Sequence, residues 1–368
     1  MGPSGSGKSS LLNILTGFTT NNFTGSIKIN GSSKNFKMVR HTNESAYILQ
    51  DESLFKLLTV RESMNFAIKF KTGNRFGANE QEYKRDSILK QLGLSEQIDS
   101  SVRTLSGGQQ KRLSIAIELV SDPKILFLDE PTTGLDSSSS TQCIQLLKNL
   151  AREGRTIICS IHTPSARLFD QFDHLYVLAR GNCIYQGSNK NLVPFLSEFD
   201  LVCPESYNPA DYILEISTND YGAHNDHLTK KMINGSNDYY RSPVKEIKHF
   251  KSDYELLVPQ ESKYAASFLT QLQLLIQRNF ILMRRDLTLM LLRWFVSLFV
   301  AVTIGILFYN IGNLANRVFD NYKYAYTVAN FLTYGSYFSI MVRCKIFFLF
   351  VVYYCSCVDF FFFQFLWI

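Results

Sequence analysis

Residues 124–136 read KILFLDEPTTGLD, an apolar run that ends abruptly in two acids. Ile125, Leu126, Phe127 and Leu128 follow one another with no polar alternation, as expected of a parallel strand covered on both faces. That assigns the surrounding chain to an α/β fold, whose ligands gather at the carboxyl ends of such strands. Asp129 and Glu130 stand at that end. Taken alone, the segment reads equally well as a strand capped by two solvated acids.

Upstream, Gly2–Ser9 read GPSGSGKS, which fits G-x-x-x-x-G-K-[ST]. The residues Gly2, Pro3, Ser4, Gly5, Ser6, Gly7, Lys8, Ser9 and Ser10 form a loop whose backbone amides can converge on phosphate. Lys8 adds a point charge and Ser9 a hydroxyl for Mg²⁺. The following SSLLNILT reads as a helix closed by Gly17, so its amino end would face the phosphates. With ATP implied, Asp129 suits a Mg²⁺ site and Glu130 suits the base that takes a proton from attacking water. Between these motifs lies LSGGQQKRLSIA (105–116), in which Ser106, Gly107 and Gly108 precede a helix with Leu113, Ile117 and Val120 on one face. This is a second anion-binding helix start. A single nucleotide needs only one such start per domain, whereas a second subunit could use the other.

A P-loop, then LSGGQ, then LFLDEPTTGLD, then a histidine after an apolar strand (TIICSIH, 156–162), is the motif order of ATP-binding-cassette ATPases, which this chain resembles. The resemblance implies roles position by position. Gln50, ending AYILQ, matches the glutamine that senses Mg²⁺ and touches the membrane domain. Ser106, Gly107, Gly108 and Gln109 match the signature that closes over a partner's ATP. Asp136 matches the D-loop at the dimer interface, and His162 matches the switch histidine at the γ-phosphate. The implied catalytic set is Glu130, His162 and Gln50, and the implied Mg²⁺ set is Ser9, Gln50 and Asp129. His41, His174, His224, His227 and His249 lack such a context and read as structural or solvated.

Segments 47–67, 156–187 and 207–216 resemble the G (white-like) subfamily of half-transporters, in which the ATPase domain precedes the membrane domain. Thr163 stands where that subfamily commonly has Gln. GSIKING, TQCIQLLKNLA and NLVPFLSEFDLVCPESYNPADY are most similar to the branch exporting sterols and other lipids, with the pigment-precursor branch as the alternative. The resemblance implies an ATPase working as a homodimer or a heterodimer with another half-transporter, with ATP and Mg²⁺ as cofactors, a multi-pass place in the plasma or a vesicle membrane, a cytosolic ATPase domain, and no nucleic-acid partner. Thr59-Val60-Arg61-Glu62 fits a capping box at the start of the helix after the Gln50 loop.

Composition supports this division. The 368 residues are 46% hydrophobic but only 19% charged, against a usual ~25%. Aromatics reach 14%, with 29 Phe, 19 Tyr and 2 Trp. Global disorder is excluded, and the 7 Cys form no paired framework. Cys143, Cys159, Cys183 and Cys203 read as reduced structural thiols. The net charge of +6 is mild, with no basic block that would mark a nucleic-acid arm.

The expected organisation is an α/β P-loop ATPase domain at 1–216, a polar linker at 217–262, and an incomplete all-α transmembrane part at 263–368. Residues 264–285 read as an amphipathic connecting helix with Arg278, Arg284 and Arg285 on the cytosolic side. The stretches 290–312 and 324–342 read as spans, since about 20 apolar residues cross the ~30 Å hydrocarbon core. The Phe-rich tail 343–368, with Cys344, Cys355 and Cys357, no longer resembles the family and reads equally as a third, poorly formed span or as translated non-coding sequence. The sequons at Asn22, Asn30, Asn43 and Asn234 would face the cytosol and stay unglycosylated. The subfamily places strands before the P-loop and more spans after it, so the chain is expected to be truncated at both ends and to bind nucleotide weakly. A truncated, non-catalytic partner of full-length subunits is the competing expectation.

Overall fold

The computed structural model describes residues 1–19, 24–25, 27–29, 32–34, 45–50, 54–73, 75–241, 265–307 and 322–329. The tail 343–368, His41, His249, and the sequons at Asn22, Asn30 and Asn43 lie outside them. Two compact units divide the chain, Met1–Arg285 and Asp286–Ile368.

Three parallel strands organise the first unit: β3 (Ser45–Ile48), β4 (Ile125–Leu128) and β5 (Thr156–Cys159), in that spatial order. Ile48 pairs with Leu128, and Leu128 with Cys159, so all three strands end level. The alignment continues past the strands: Asp129 N–H donates to Ile48 O at 2.9 Å and Ser160 N–H to Leu128 O at 3.0 Å. Leu126 and Leu128 are fully buried, as the unbroken apolar run requires. A hairpin, β1 (Ile27–Ile29) with β2 (Ser32–Lys34), precedes this sheet, and a second, β6 (His174–Ala179) with β7 (Asn182–Ser188), follows it.

Helices surround the sheet. They are α1 (Lys8–Leu15), α2 (Val60–Thr72), α3 (Ala78–Gln91), α4 (Gly107–Leu119) and α5 (Ser137–Arg152). Val60, Met64 and Ile68 of α2, Leu89 of α3, Leu113 and Ala116 of α4, and Ile144 and Leu147 of α5 join β4 in one core. The capping box expected at Thr59 is present. Thr59 Oγ1 accepts from Glu62 N–H at 3.2 Å, and Glu62 Oε2 accepts from Thr59 N–H at 2.9 Å.

A second core lies on the β6–β7 hairpin, covered by α6 (Ala166–Phe169), α7 (Leu192–Ser197), α8 (Pro209–Thr218) and α9 (Asn225–Met232). Here the expected organisation needs correction: part of the expected linker at 217–262 is folded. Leu228 and Met232 of α9 are fully buried, and Tyr240 O accepts Ser188 N–H at 2.8 Å. A polar helix of this kind needs only one inward pair, spaced i and i+4, to dock. Such a pair leaves no sustained period in the sequence.

The connecting helix is α10 (Phe268–Arg285). Arg285 makes two bonds to Glu62, Nη1 to Oε2 at 2.6 Å and Nη2 to Oε1 at 2.7 Å, and a third to Leu57 O at 2.9 Å. The Arg278 guanidinium lies 4.2 Å from the Phe55 ring centroid.

In the second unit, α11 (Leu287–Leu307) carries the apolar run from Trp294. Trp294, Phe295, Leu298, Phe299 and Ile306 are exposed. Among the described residues no helix is long and apolar enough to cross a membrane. The continuation of the first expected span to 312 lies outside them. Of the second expected span, 324–342, residues 324–329 are helical, and 330–342 lie outside the described residues.

Candidate functional site

The level carboxyl ends of β3, β4 and β5 bring Gln50, Asp129, Glu130 and Ser160 together. Gln50 Nε2 donates to Glu130 Oε2 at 3.1 Å, and Thr133 Oγ1 donates to the same oxygen at 2.9 Å. Glu130 adopts φ 46°, a left-handed backbone that is unusual for a side-chain-bearing residue. Its N–H is anchored by Ser160 Oγ at 2.8 Å. Ser160 Oγ in turn donates to Asp129 Oδ1, and both Ser160 and Asp129 are buried.

The P-loop lies against these acids. Gly2 approaches β6 so closely that an added Cβ would sit 2.3 Å from Leu178 O, which is why glycine stands there. Gly7, at φ 100°, caps α1 without a side-chain bond, leaving the first amides of the helix free of a side-chain acceptor. Lys8 Nζ donates to Gly2 O at 2.8 Å and Pro3 O at 3.0 Å. Burial pushes its ammonium below the usual lysine range, against the opposing pull of Glu130 and Asp129. Tyr47 of β3 joins α1 to the sheet beside the acids. Its hydroxyl donates to Asn13 Oδ1 at 2.9 Å, and burial together with the nearby negative charge of Asp129 pushes the phenol up to about 12.

The residues present fit a nucleotide with a hard divalent cation. Among the described residues the Oγ of buried Ser6 in the loop has no hydrogen-bond partner, and added Cβ atoms at Gly5 and Gly7 would meet open space. The Ser9 hydroxyl and the Asp129 carboxylate are hard oxygen donors. Two such donors suit Mg²⁺, which keeps waters and phosphate oxygens around one or two protein ligands.

The signature forms the amino end of α4. Ser106 caps it, accepting Gln109 N–H at 3.3 Å while Gln109 Oε1 accepts Ser106 N–H at 2.9 Å. Gly107 packs on the turn before α5 and Gly108 on the first turn of α5: added Cβ atoms would lie 3.3 Å from Leu135 Cδ2 and 2.9 Å from Ser139. Asp136 caps α5, its Oδ2 accepting Ser139 N–H at 3.1 Å. Buried Lys111 of α4 donates to Leu49 O at 3.2 Å, linking the signature helix to the strand that carries Gln50. His162 lies exposed two residues beyond Ser160, at the same end of β5.

Tyr47, Thr133 and Ser160 were not among the residues expected from sequence. Thr133 was legible as the third residue after Glu130. A lone Tyr inside a strand and a lone Ser before His162 carry no local signal.

An ABC transporter family model matches residues 1–133, and an ABC-2 type transporter model matches 162–232. The Arabidopsis thaliana ABC transporter G family member 11 is 32% identical over 371 residues, covering 91% of this chain and 52% of that protein. The broad substrate specificity ATP-binding cassette transporter ABCG2 of Bos taurus is 33% identical over 348 residues, covering 85% and 52%. Among solved structures, cbiO1 from Clostridium perfringens, part of an ABC transporter complex, is 30% identical over 52% of this chain and 76% of its own, with a TM-score of 0.46. The chain spans about half the length of the curated relatives it matches. Its amino-terminal part is an ABC transporter ATPase domain, and the chain belongs among the ABC transporters, with its relatives in the G family.

Proposed function

We propose that this chain is the ATP-hydrolysing part of a G-family half-transporter that works as a dimer and exports lipid- or sterol-like cargo. The observation that carries the catalytic reading is the Glu130 carboxylate, held by Gln50 and Thr133 on a strained backbone beside the buried Asp129. Phosphoryl transfer asks for positioning and charge neutralisation more than covalent chemistry. Gly2 to Ser10 bind the phosphates through backbone amides, with Lys8 adding positive charge. Glu130 Oε2 accepts the proton of the attacking water, and Gln50 and Thr133 keep that oxygen aimed. Ser9, Gln50 and Asp129 would hold Mg²⁺, which supplies charge neutralisation at the phosphate oxygens. His162, exposed beyond the neighbouring strand, would contact the γ-phosphate. Ser106 to Gln109 would present the amino end of α4 to the partner subunit's nucleotide, and Asp136 would stand at that interface.

The membrane reading is supported by the ABC-2 type match and by the exposed apolar side chains along α10 and α11. Lipid cargo rests on the sequence resemblance alone. The test is ATPase activity of the full chain in native membranes. Wild type should hydrolyse ATP, and Glu130→Gln should abolish turnover while retaining nucleotide. Equal turnover in both would refute the assignment of Glu130. Reconstitution with labelled sterol separately tests the cargo, and ATP-independent or absent sterol movement by an active dimer would refute it.

A further inference from the structure

We propose that Ser160 is the positioning residue that holds Asp129, as a ligand of a nucleotide's divalent cation, in register with the base Glu130. The inference rests on the reading of Asp129 and Glu130 given above. One hydroxyl joins the two acids: it accepts Glu130 N–H at 2.8 Å and donates to Asp129 Oδ1. The direction of both bonds is forced. An amide N–H can only donate, so Ser160 accepts there and its own proton is committed to the carboxylate. Ser160 is 5% exposed, and its N–H donates to Leu128 O at 3.0 Å, so its Cα is fixed by the sheet.

The bond to Glu130 N–H also falls where it is most needed. Glu130 sits at φ 46°, a conformation that persists only when its surroundings over-determine it. Ser160 therefore pins the backbone of the base and the carboxylate of the metal ligand with a single oxygen. A change in one is transmitted to the other. Outer-shell partners of this kind orient a ligand without touching the ion.

The experiment uses the full chain in detergent, with Mn²⁺ titrated at fixed AMP-PNP and free Mn²⁺ followed by electron paramagnetic resonance. Metal-free binding of TNP-ATP serves as the second readout. Ser160→Ala should weaken Mn²⁺ binding by about 10-fold or more, the usual effect of removing an outer-shell partner. TNP-ATP binding without metal should be unchanged, and Ser160→Thr, which keeps the hydroxyl, should restore most of the Mn²⁺ affinity. Asp129→Asn, run alongside, should abolish Mn²⁺ uptake by the protein, leaving the free-ion signal undiminished. Wild-type Mn²⁺ affinity in Ser160→Ala, with Asp129→Asn defective, would overturn the role of Ser160 alone. Equal weakness of Ser160→Thr and Ser160→Ala, or a parallel loss of metal-free TNP-ATP binding, would also overturn it. Wild-type affinity in Asp129→Asn would overturn the underlying reading of the acids.

Discussion

Gly108 offers the sharpest test of how the signature helix is built. A Cβ placed there lies 2.9 Å from both Cβ and Oγ of Ser139, about half an ångström inside the nearest comfortable contact. Rotating Ser139 moves only its Oγ, because its Cβ is fixed by the backbone of α5. That backbone is itself held by the Asp136 cap at 3.1 Å. Gly108→Ala must therefore part α4 from α5. Overpacking of this kind costs about 1–3 kcal/mol. The gain in helix propensity on replacing Gly by Ala is up to ~1 kcal/mol in a helix interior, and less in a first turn. A net loss on the order of 1–2 kcal/mol remains. At ~2–4 °C per kcal/mol for a domain of this class, the melting temperature should fall by about 2–8 °C.

Thermal melts of the full chain in detergent, followed by far-UV circular dichroism, would measure this fall. Ser139→Gly removes both clashing atoms and should rescue Gly108→Ala, although alone it costs ~0.5–1 kcal/mol as a helical glycine. The two changes should thus couple by roughly 1 kcal/mol in a double-mutant cycle. A Gly108→Ala chain melting at or above wild type would refute the packing argument. So would an identical effect of Ser139→Gly in both backgrounds.

Three further outcomes are expected. Leu228→Ala, in the polar stretch folded onto β7, should destabilise the first unit by ~2–5 kcal/mol, as for other fully buried leucines; an unchanged denaturation midpoint would show that this stretch is a free linker after all. Lys8→Ala should weaken TNP-ATP binding by at least ~10-fold, since its ammonium stands in the phosphate loop, and unchanged affinity would remove Lys8 from the site. Glu62 gives a pH signature. Desolvation pushes its carboxyl up, but the bonds from Arg285 and Thr59 outweigh that and hold it below its ordinary 4.5. A depressed carboxylate stabilises the fold above its ordinary value and loses that contribution as pH falls through the lowered one. The melting difference between wild type and Glu62→Gln should therefore be constant above pH 4.5 and shrink below it. A difference that grew on acidification would refute the sign.

Much of the site was legible because its chemistry is written in short segments. A phosphate loop needs glycines at fixed spacing, and GPSGSGKS supplies them within one turn of chain. A doubly covered strand needs an unbroken apolar run, and ILFL is one. The Thr59 capping box is local too, because its two bonds span three residues. The sequence also determined the order of motifs, and with it the family resemblance.

Tertiary structure alone decided what meets what. Gln50, Glu130 and Ser160 converge because three parallel strands end level, and nothing in their separate segments encodes that register. Arg285 reaches Glu62 from 223 positions away. The segment around Leu228 and Met232 looked like a linker because a short helix can dock through one pair of side chains, too few to leave a period. The physical reason is the same in each case. Backbone conformation is set by neighbours in the chain, whereas polar partnerships and isolated buried pairs are satisfied by whichever group the packed core brings within reach.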